Sequence, residues 1–122
     1  MDSTLDQLQR AALRLSQDGS IKDRLADAYA SHLLEVDVGD LPEDVREDFA
    51  AMCEAMHRER PLPRESVIRA SVRKMSNEQA GQHAALVVRT FASLARAETG
   101  SVPLRRAARK APTPVVQLFA EG

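Results

Sequence analysis

Apolar residues recur every three or four positions along most of this chain, which is the spacing of one face of an α-helix. No segment shows the strict apolar and polar alternation of a half-buried strand. The pattern predicts five helices, at about 4–17, 21–36, 41–59, 64–75 and 77–98. The sequence therefore predicts an all-α fold, a compact bundle of about five helices that forms one domain over residues 1–100.

Serines mark the starts of three of these helices. Each serine is followed three residues later by an Asp or Gln, and the pairs are Ser3 with Asp6, Ser20 with Asp23, and Ser76 with Gln79. In such pairs the serine hydroxyl accepts a hydrogen bond from a free amide of the first turn, and the second side chain can return one. We expect a capped helix after each serine.

Pro61 and Pro63 interrupt the helical pattern, and the charge of the chain changes sign at the same place. Residues 1–60 contain 14 acidic and 7 basic side chains, whereas residues 61–122 contain 4 acidic and 10 basic ones. The net charge of −1 conceals this separation. We expect the two halves to neutralise each other in the fold, so that only bases left free by the fold are candidates for binding a partner.

Residues 101–122 have a different composition and are interpreted as a basic, proline-containing C-terminal tail. Its prolines exclude a long helix. The candidate partner-binding residues are a basic cluster and an apolar terminal segment, namely Arg105, Arg106, Arg109, Lys110, Val115, Val116, Leu118 and Phe119. A proline-led apolar segment is suited to a groove or sheet edge of another protein, or to packing on its own bundle or on that of a dimer partner.

A second hypothesis is nucleic-acid binding through the basic C-terminal half. Arg69, Arg73 and Lys74 fall on the predicted fourth helix, and with the tail bases they could neutralise backbone phosphates. The isoelectric point of the whole chain is near 6.3, which does not favour this hypothesis.

Catalytic and metal-binding patterns are weak in this sequence. Cys53 and His57 are four residues apart on one predicted helix, but two ligands fall short of the three or four that zinc sites use. The chain has five glycines and no phosphate-binding glycine motif. We therefore predict no catalytic residues, no cofactor and no metal, and a small metal-dependent enzyme is a further alternative.

The lone Cys53 cannot form an internal disulfide, which favours a reducing compartment. No apolar stretch approaches the roughly 18 residues of a membrane span. We expect a cytoplasmic protein that does not use a membrane. The apolar stripe of the second predicted helix and the alanine-lined fifth helix suggest a homodimer.

The stretch from Ile68 to Ala80, IRASVRKMSNEQA, resembles a segment of a family of small uncharacterised proteobacterial helical proteins. The resemblance implies a bacterial origin and a helical fold, and it implies no activity. From the residues themselves we predict a non-enzymatic protein–protein interaction or regulatory adaptor, which binds through charged surfaces and the C-terminal tail.

Overall fold

Five α-helices account for most of residues 3–99, the part of the chain that the computed structural model describes. They are α1 (Thr4–Leu15), α2 (Ile21–Ala28), α3 (Glu43–Met56), α4 (Val67–Arg73) and α5 (Asn77–Thr99). A π-helical segment, Tyr29–Leu33, continues α2, and a 3-10 turn, Val38–Asp40, precedes α3. Residues 3–99 contain no strand, and the predicted all-α bundle is confirmed.

All three predicted serine caps are formed. The Asp6 amide donates to Ser3 Oγ at 3.1 Å, and the Asp23 amide donates to Ser20 Oγ at 3.1 Å. At the start of α5 the bonds are reciprocal: the Gln79 amide donates to Ser76 Oγ at 3.0 Å, and the Ser76 amide donates to Gln79 Oε1 at 2.9 Å. Local sequence therefore determines where these helices begin.

Two helices begin later than predicted. Pro42 has extended ψ (150°) and precedes α3 instead of lying in its first turn. The fourth helix begins at Val67 because Ser66 Oγ accepts a hydrogen bond from the Arg69 amide at 3.0 Å. Arg64, which was expected in that helix, adopts a left-handed backbone conformation (φ 69°) in the connection before it.

The core is mainly aliphatic, and α5 lies at its centre, against α1, α2 and α3. Its largest fully buried side chains include Leu8, Leu25, Tyr29, Leu33, Phe49, Met52, Met56 and Val87. The apolar stripe of α2 and the alanines Ala80 and Ala84 of α5, on which the dimer prediction rested, face this core. A dimer would have to use other surfaces.

The helices α3 and α5 lie side by side and run antiparallel. Near one end, Ser93 Oγ donates to Asp44 Oδ1 at 3.1 Å, and near the other end Ala55 and His83 line one cavity. No helix within residues 3–99 is both long enough and apolar enough to cross a lipid bilayer.

Candidate functional site

A groove runs along the outer boundary between α3 and α5, and we call it the seam. It consists of three adjoining cavities of about 150, 410 and 380 Å³. The first, which we call the end cavity, lies where α3, α4 and α5 meet. It shares Ala55, Arg58, Gln79 and His83 with the middle cavity, which shares Asp48, Leu86 and Arg89 with the third.

The spacing of the lining residues explains why the groove follows both helices. On α3 they recur at intervals of three and four, and on α5 they recur at the same intervals. The α3 residues include Asp44, Asp48, Ala51 and Ala55, and the α5 residues include Gln79, His83, Leu86, Arg89, Ala92, Ser93 and Arg96. Alanines on both walls leave the space between the helices open.

Four basic side chains line the seam, namely Arg58, Lys74, Arg89 and Arg96. All four residues are exposed. Within residues 3–99, none of the four charged groups forms a hydrogen bond or an ion pair with another side chain. The charges of Arg58, Arg89 and Arg96 are therefore available to a group that enters the seam. Lys74 is available too, although its charge also acts at a distance on the Glu65 carboxylate.

The acidic residues along the seam are fewer, and two of them interact with neighbours. Asp44 accepts hydrogen bonds from Ser93 Oγ at 3.1 and 3.3 Å. The carboxylate of Glu59 acts on Arg73 and helps to raise the pKa of that guanidinium, after the larger effect of Glu65. Asp48 is the lining acid that has no such partner among the described residues. Unpaired positive charge therefore exceeds unpaired negative charge along the seam.

His83 and Gln79 add two neutral polar groups to the end cavity. Burial, together with the nearby positive charge of Arg58, lowers the pKa of His83. The imidazole is therefore neutral near pH 7 and can donate one N–H. Gln79 uses its side-chain oxygen in the cap of α5, so its amide nitrogen remains as a donor beside the cavity.

The bases carried by α1, α2 and α4, which we call the α1–α2–α4 side, have internal partners. Arg69 donates to Asp23 at 3.0 Å, and Arg73 makes two bonds to Glu65, at 2.8 and 3.0 Å. Arg14 donates to Asp27. Among these pairs, the one between Arg69 and Asp23 joins the acidic and basic halves of the chain. The Arg14–Asp27 pair lies within the acidic half, and the Arg73–Glu65 pair lies within the basic half.

The residues of the nucleic-acid hypothesis are thus divided by the structure. Arg69 and Arg73 hold carboxylates of their own chain, whereas Lys74 lies at the end cavity without an ion-pair partner in residues 3–99. The candidate tail residues, from Arg105 to Phe119, lie outside the described residues.

Cys53 and His57 lie beside a buried tyrosine. The hydroxyl of Tyr29 and Nε2 of His57 form a hydrogen bond of 3.1 Å, and the two rings meet edge to face. Burial, with a contribution from Cys53, raises the pKa of Tyr29. No group of three or more His, Cys, Asp and Glu side chains within residues 3–99 is arranged to hold a metal ion.

Sequence reasoning missed Arg58, Arg89 and Arg96 as candidate residues. Arg89 and Arg96 are seven residues apart, which places them on one helix face, and this was a usable signal. Arg58 follows the end of α3, where its direction depends on how the chain leaves the helix. Comparison of the chain with family models, with curated proteins and with solved structures finds no match.

Proposed function

We propose that this protein is a non-enzymatic interaction protein, a regulatory adaptor that binds an acidic segment of a partner protein along the seam. The observation that carries the proposal is the clustering of Arg58, Lys74, Arg89 and Arg96, all unpaired within residues 3–99, on one groove. Charged groups that face a groove without internal partners attract a segment of opposite charge and fix its register.

The length of the seam fits a peptide segment. Gln79 and Arg96 mark its two ends on α5 and are 17 residues apart, which corresponds to about 25 Å of helix. An extended segment of about eight residues covers that distance. Alanine and leucine side chains in the walls provide apolar contact between the charges.

The C-terminal tail is proposed as a second contact with the same partner. In sequence it follows α5, and its basic residues Arg105, Arg106, Arg109 and Lys110 carry the same sign as the seam. An acidic partner would be attracted by both. The apolar residues Val115, Val116, Leu118 and Phe119 would then add apolar contact area.

A binding assay with purified full-length protein tests the seam. The probe is a fluorescein-labelled oligoglutamate peptide of about eight residues, the extended length of the seam. Fluorescence anisotropy should show saturable binding that weakens with salt. The double variant Arg89→Glu/Arg96→Glu should weaken it at least about tenfold, because two attractive charges become repulsive.

A matched control changes two other free arginines. Arg60 and Arg64 are exposed, lie outside the seam and form no hydrogen bond or ion pair through their side chains within residues 3–99. The variant Arg60→Glu/Arg64→Glu changes the net charge equally and should alter affinity by less than about threefold. Equal losses in the two variants would show that net charge alone attracts the peptide, and the proposal would then be wrong.

Double-stranded DNA serves as the competing probe in the same assay. The nucleic-acid hypothesis expects strong binding at low salt, lost when the four tail bases are neutralised. Negligible DNA binding beside saturable peptide binding supports the adaptor. The bacterial origin, the cytoplasmic location and the homodimer remain predictions, and light scattering at several concentrations tests the dimer.

A further inference from the structure

We propose that the end cavity binds a phosphate monoester, carried by a phosphorylated side chain of the acidic segment that occupies the seam. This inference rests on the proposed function for its carrier, but the cavity itself can be tested separately. The geometry that supports it is the convergence of Arg58 and Lys74, together with Gln79 and His83, on one cavity of about 150 Å³.

The four groups come from three different elements. Arg58 follows α3, Lys74 follows α4 at its C-terminal cap, and Gln79 and His83 lie in the first two turns of α5. A pair of cations with two neutral donors is suited to a dianion that has three acceptor oxygens. The positive end of the α5 helix dipole lies on the same side.

The size of the cavity agrees with this ligand. A volume of about 150 Å³ corresponds to about five water molecules in the liquid. That space holds a tetrahedral oxyanion with the end of its carrier side chain. The cavity continues into the middle part of the seam through Ala55 and Arg58, so that a carrier chain can follow the groove.

Glu59 is the lining group that opposes an anion. Its backbone amide donates to Ser71 Oγ at 3.1 Å, which fixes the chain there, and its carboxylate also acts on Arg73. Within the cavity, Arg58 and Lys74 therefore face one acid, and the field of that acid is shared with a third cation. Lys74 also acts on Glu65, outside the cavity, where it makes a smaller contribution than Arg73 to the lowered pKa of that carboxyl. Removal of that acid should strengthen phosphate binding.

Inorganic phosphate tests the cavity independently of any peptide. NMR of the full-length chain, titrated at constant ionic strength, should show saturable shifts of the His83 imidazole and of the Gln79 side-chain amide. Bound phosphate should also raise the pKa of His83, because an anion offsets the positive charge of Arg58. Shifts no larger than those produced by acetate would overturn the inference.

Variants assign the binding to named groups. Arg58→Gln/Lys74→Gln should weaken phosphate binding at least about tenfold, because two charge-assisted hydrogen bonds are lost. Arg60→Gln/Arg64→Gln is the matched control and should stay within about twofold. Glu59→Gln should strengthen binding, and it supplies the decisive result if the double variant fails to fold. Unchanged or weaker binding in Glu59→Gln would contradict the inference.

Two acidic peptides test whether a seam-bound segment carries the phosphate. They are identical except that one serine is phosphorylated in one of them. The phosphorylated peptide should bind about tenfold more tightly, and Arg58→Gln/Lys74→Gln should abolish that gain. If inorganic phosphate binds but the peptide gains nothing, the assignment to a seam-bound segment is wrong. If phosphate binds while Arg89→Glu/Arg96→Glu leaves peptide affinity unchanged, the proposed function fails and the phosphate cavity stands.

Discussion

The α1–α2–α4 side and the seam between α3 and α5 use the same type of residue in different ways. On the first side Arg14, Arg69 and Arg73 each hold a carboxylate of their own chain. Along the seam Arg89 and Arg96 have no such carboxylate within residues 3–99. The difference separates bases that serve the fold from bases that are available to a partner.

The charge separation along the sequence does not by itself show which bases are free. The sign changes at Pro61 and Pro63, yet the free bases do not follow that boundary, since Arg58 lies before it. What decides availability is whether packing brings a carboxylate within reach. A count of charges by sequence half therefore indicates that a charged surface exists, and the fold determines where it lies.

Truncation of a side chain in the core that supports both regions gives the largest expected effect. Phe49 on α3 is 0% exposed and lies behind one wall of the seam. Phe49→Ala should lower the free energy of unfolding by about 3–5 kcal/mol, because it leaves a cavity among aliphatic side chains. Urea denaturation measures this change.

The matched control for Phe49 is Leu34, which is 49% exposed. Leu34→Ala should change the free energy of unfolding by less than about 0.5 kcal/mol. A small effect of Phe49→Ala would mean that α3 is not anchored in the common core. The seam would then not be a fixed surface that can be compared with the α1–α2–α4 side.

The cap of α5 gives the next largest effect. Ser76→Ala removes the hydroxyl that accepts from the Gln79 amide and should cost about 1 kcal/mol of stability. It should also weaken phosphate binding, because without this hydroxyl the first turn of α5, which carries Gln79 to the end cavity, is held less firmly. The neighbouring exposed residue supplies the control, and Asn77→Ala should change stability by less than about 0.5 kcal/mol.

Such caps and the helical class could be predicted from the sequence because they depend on residues three or four positions apart. Ser3, Ser20 and Ser76 were identified in this way, whereas within residues 3–99 the cap of α4 by Ser66 and the cap of the 3-10 turn by Asp37 were overlooked. The core was also largely predictable, because the aliphatic periodicity leaves few choices for the buried face.

The seam could not be predicted in the same way. The bond between Arg69 and Asp23 joins residues 46 positions apart, and no local pattern distinguishes Arg69 from Arg89. The end cavity depends on where three elements meet, and two of its groups, Arg58 and Lys74, lie just beyond helix ends. The tail residues from Arg105 onward lie outside the described residues, so their role remains a prediction.

Removal of one base from each region tests the comparison directly. Arg14→Gln removes the part-buried ion pair between Arg14 and Asp27 and should lower the free energy of unfolding by about 0.5–1 kcal/mol. Arg89→Gln should leave the free energy of unfolding within about 0.5 kcal/mol, since Arg89 has no partner in residues 3–99. Equal costs for the two variants, measured by urea denaturation, would contradict the distinction.

Acid titration gives the smallest expected effect and isolates one pair of the α1–α2–α4 side. The Arg73 guanidinium and the Leu62 amide bind the Glu65 carboxylate and lower its pKa to about 2 from 4.5. A lowered pKa means that the stabilisation is present above pH 4.5 and is lost as the pH falls towards 2.

Denaturation at a series of pH values should therefore show wild type more stable than Glu65→Gln near pH 6, with the difference shrinking below pH 4.5. Asp48→Asn is the seam counterpart, and because that carboxylate has no partner in residues 3–99, its removal should change the free energy of unfolding at pH 6 by less than about 0.5 kcal/mol. A pH-independent difference for Glu65→Gln would mean that the Arg73–Glu65 pair does not stabilise the fold, and the two regions would then differ in geometry but not in energy.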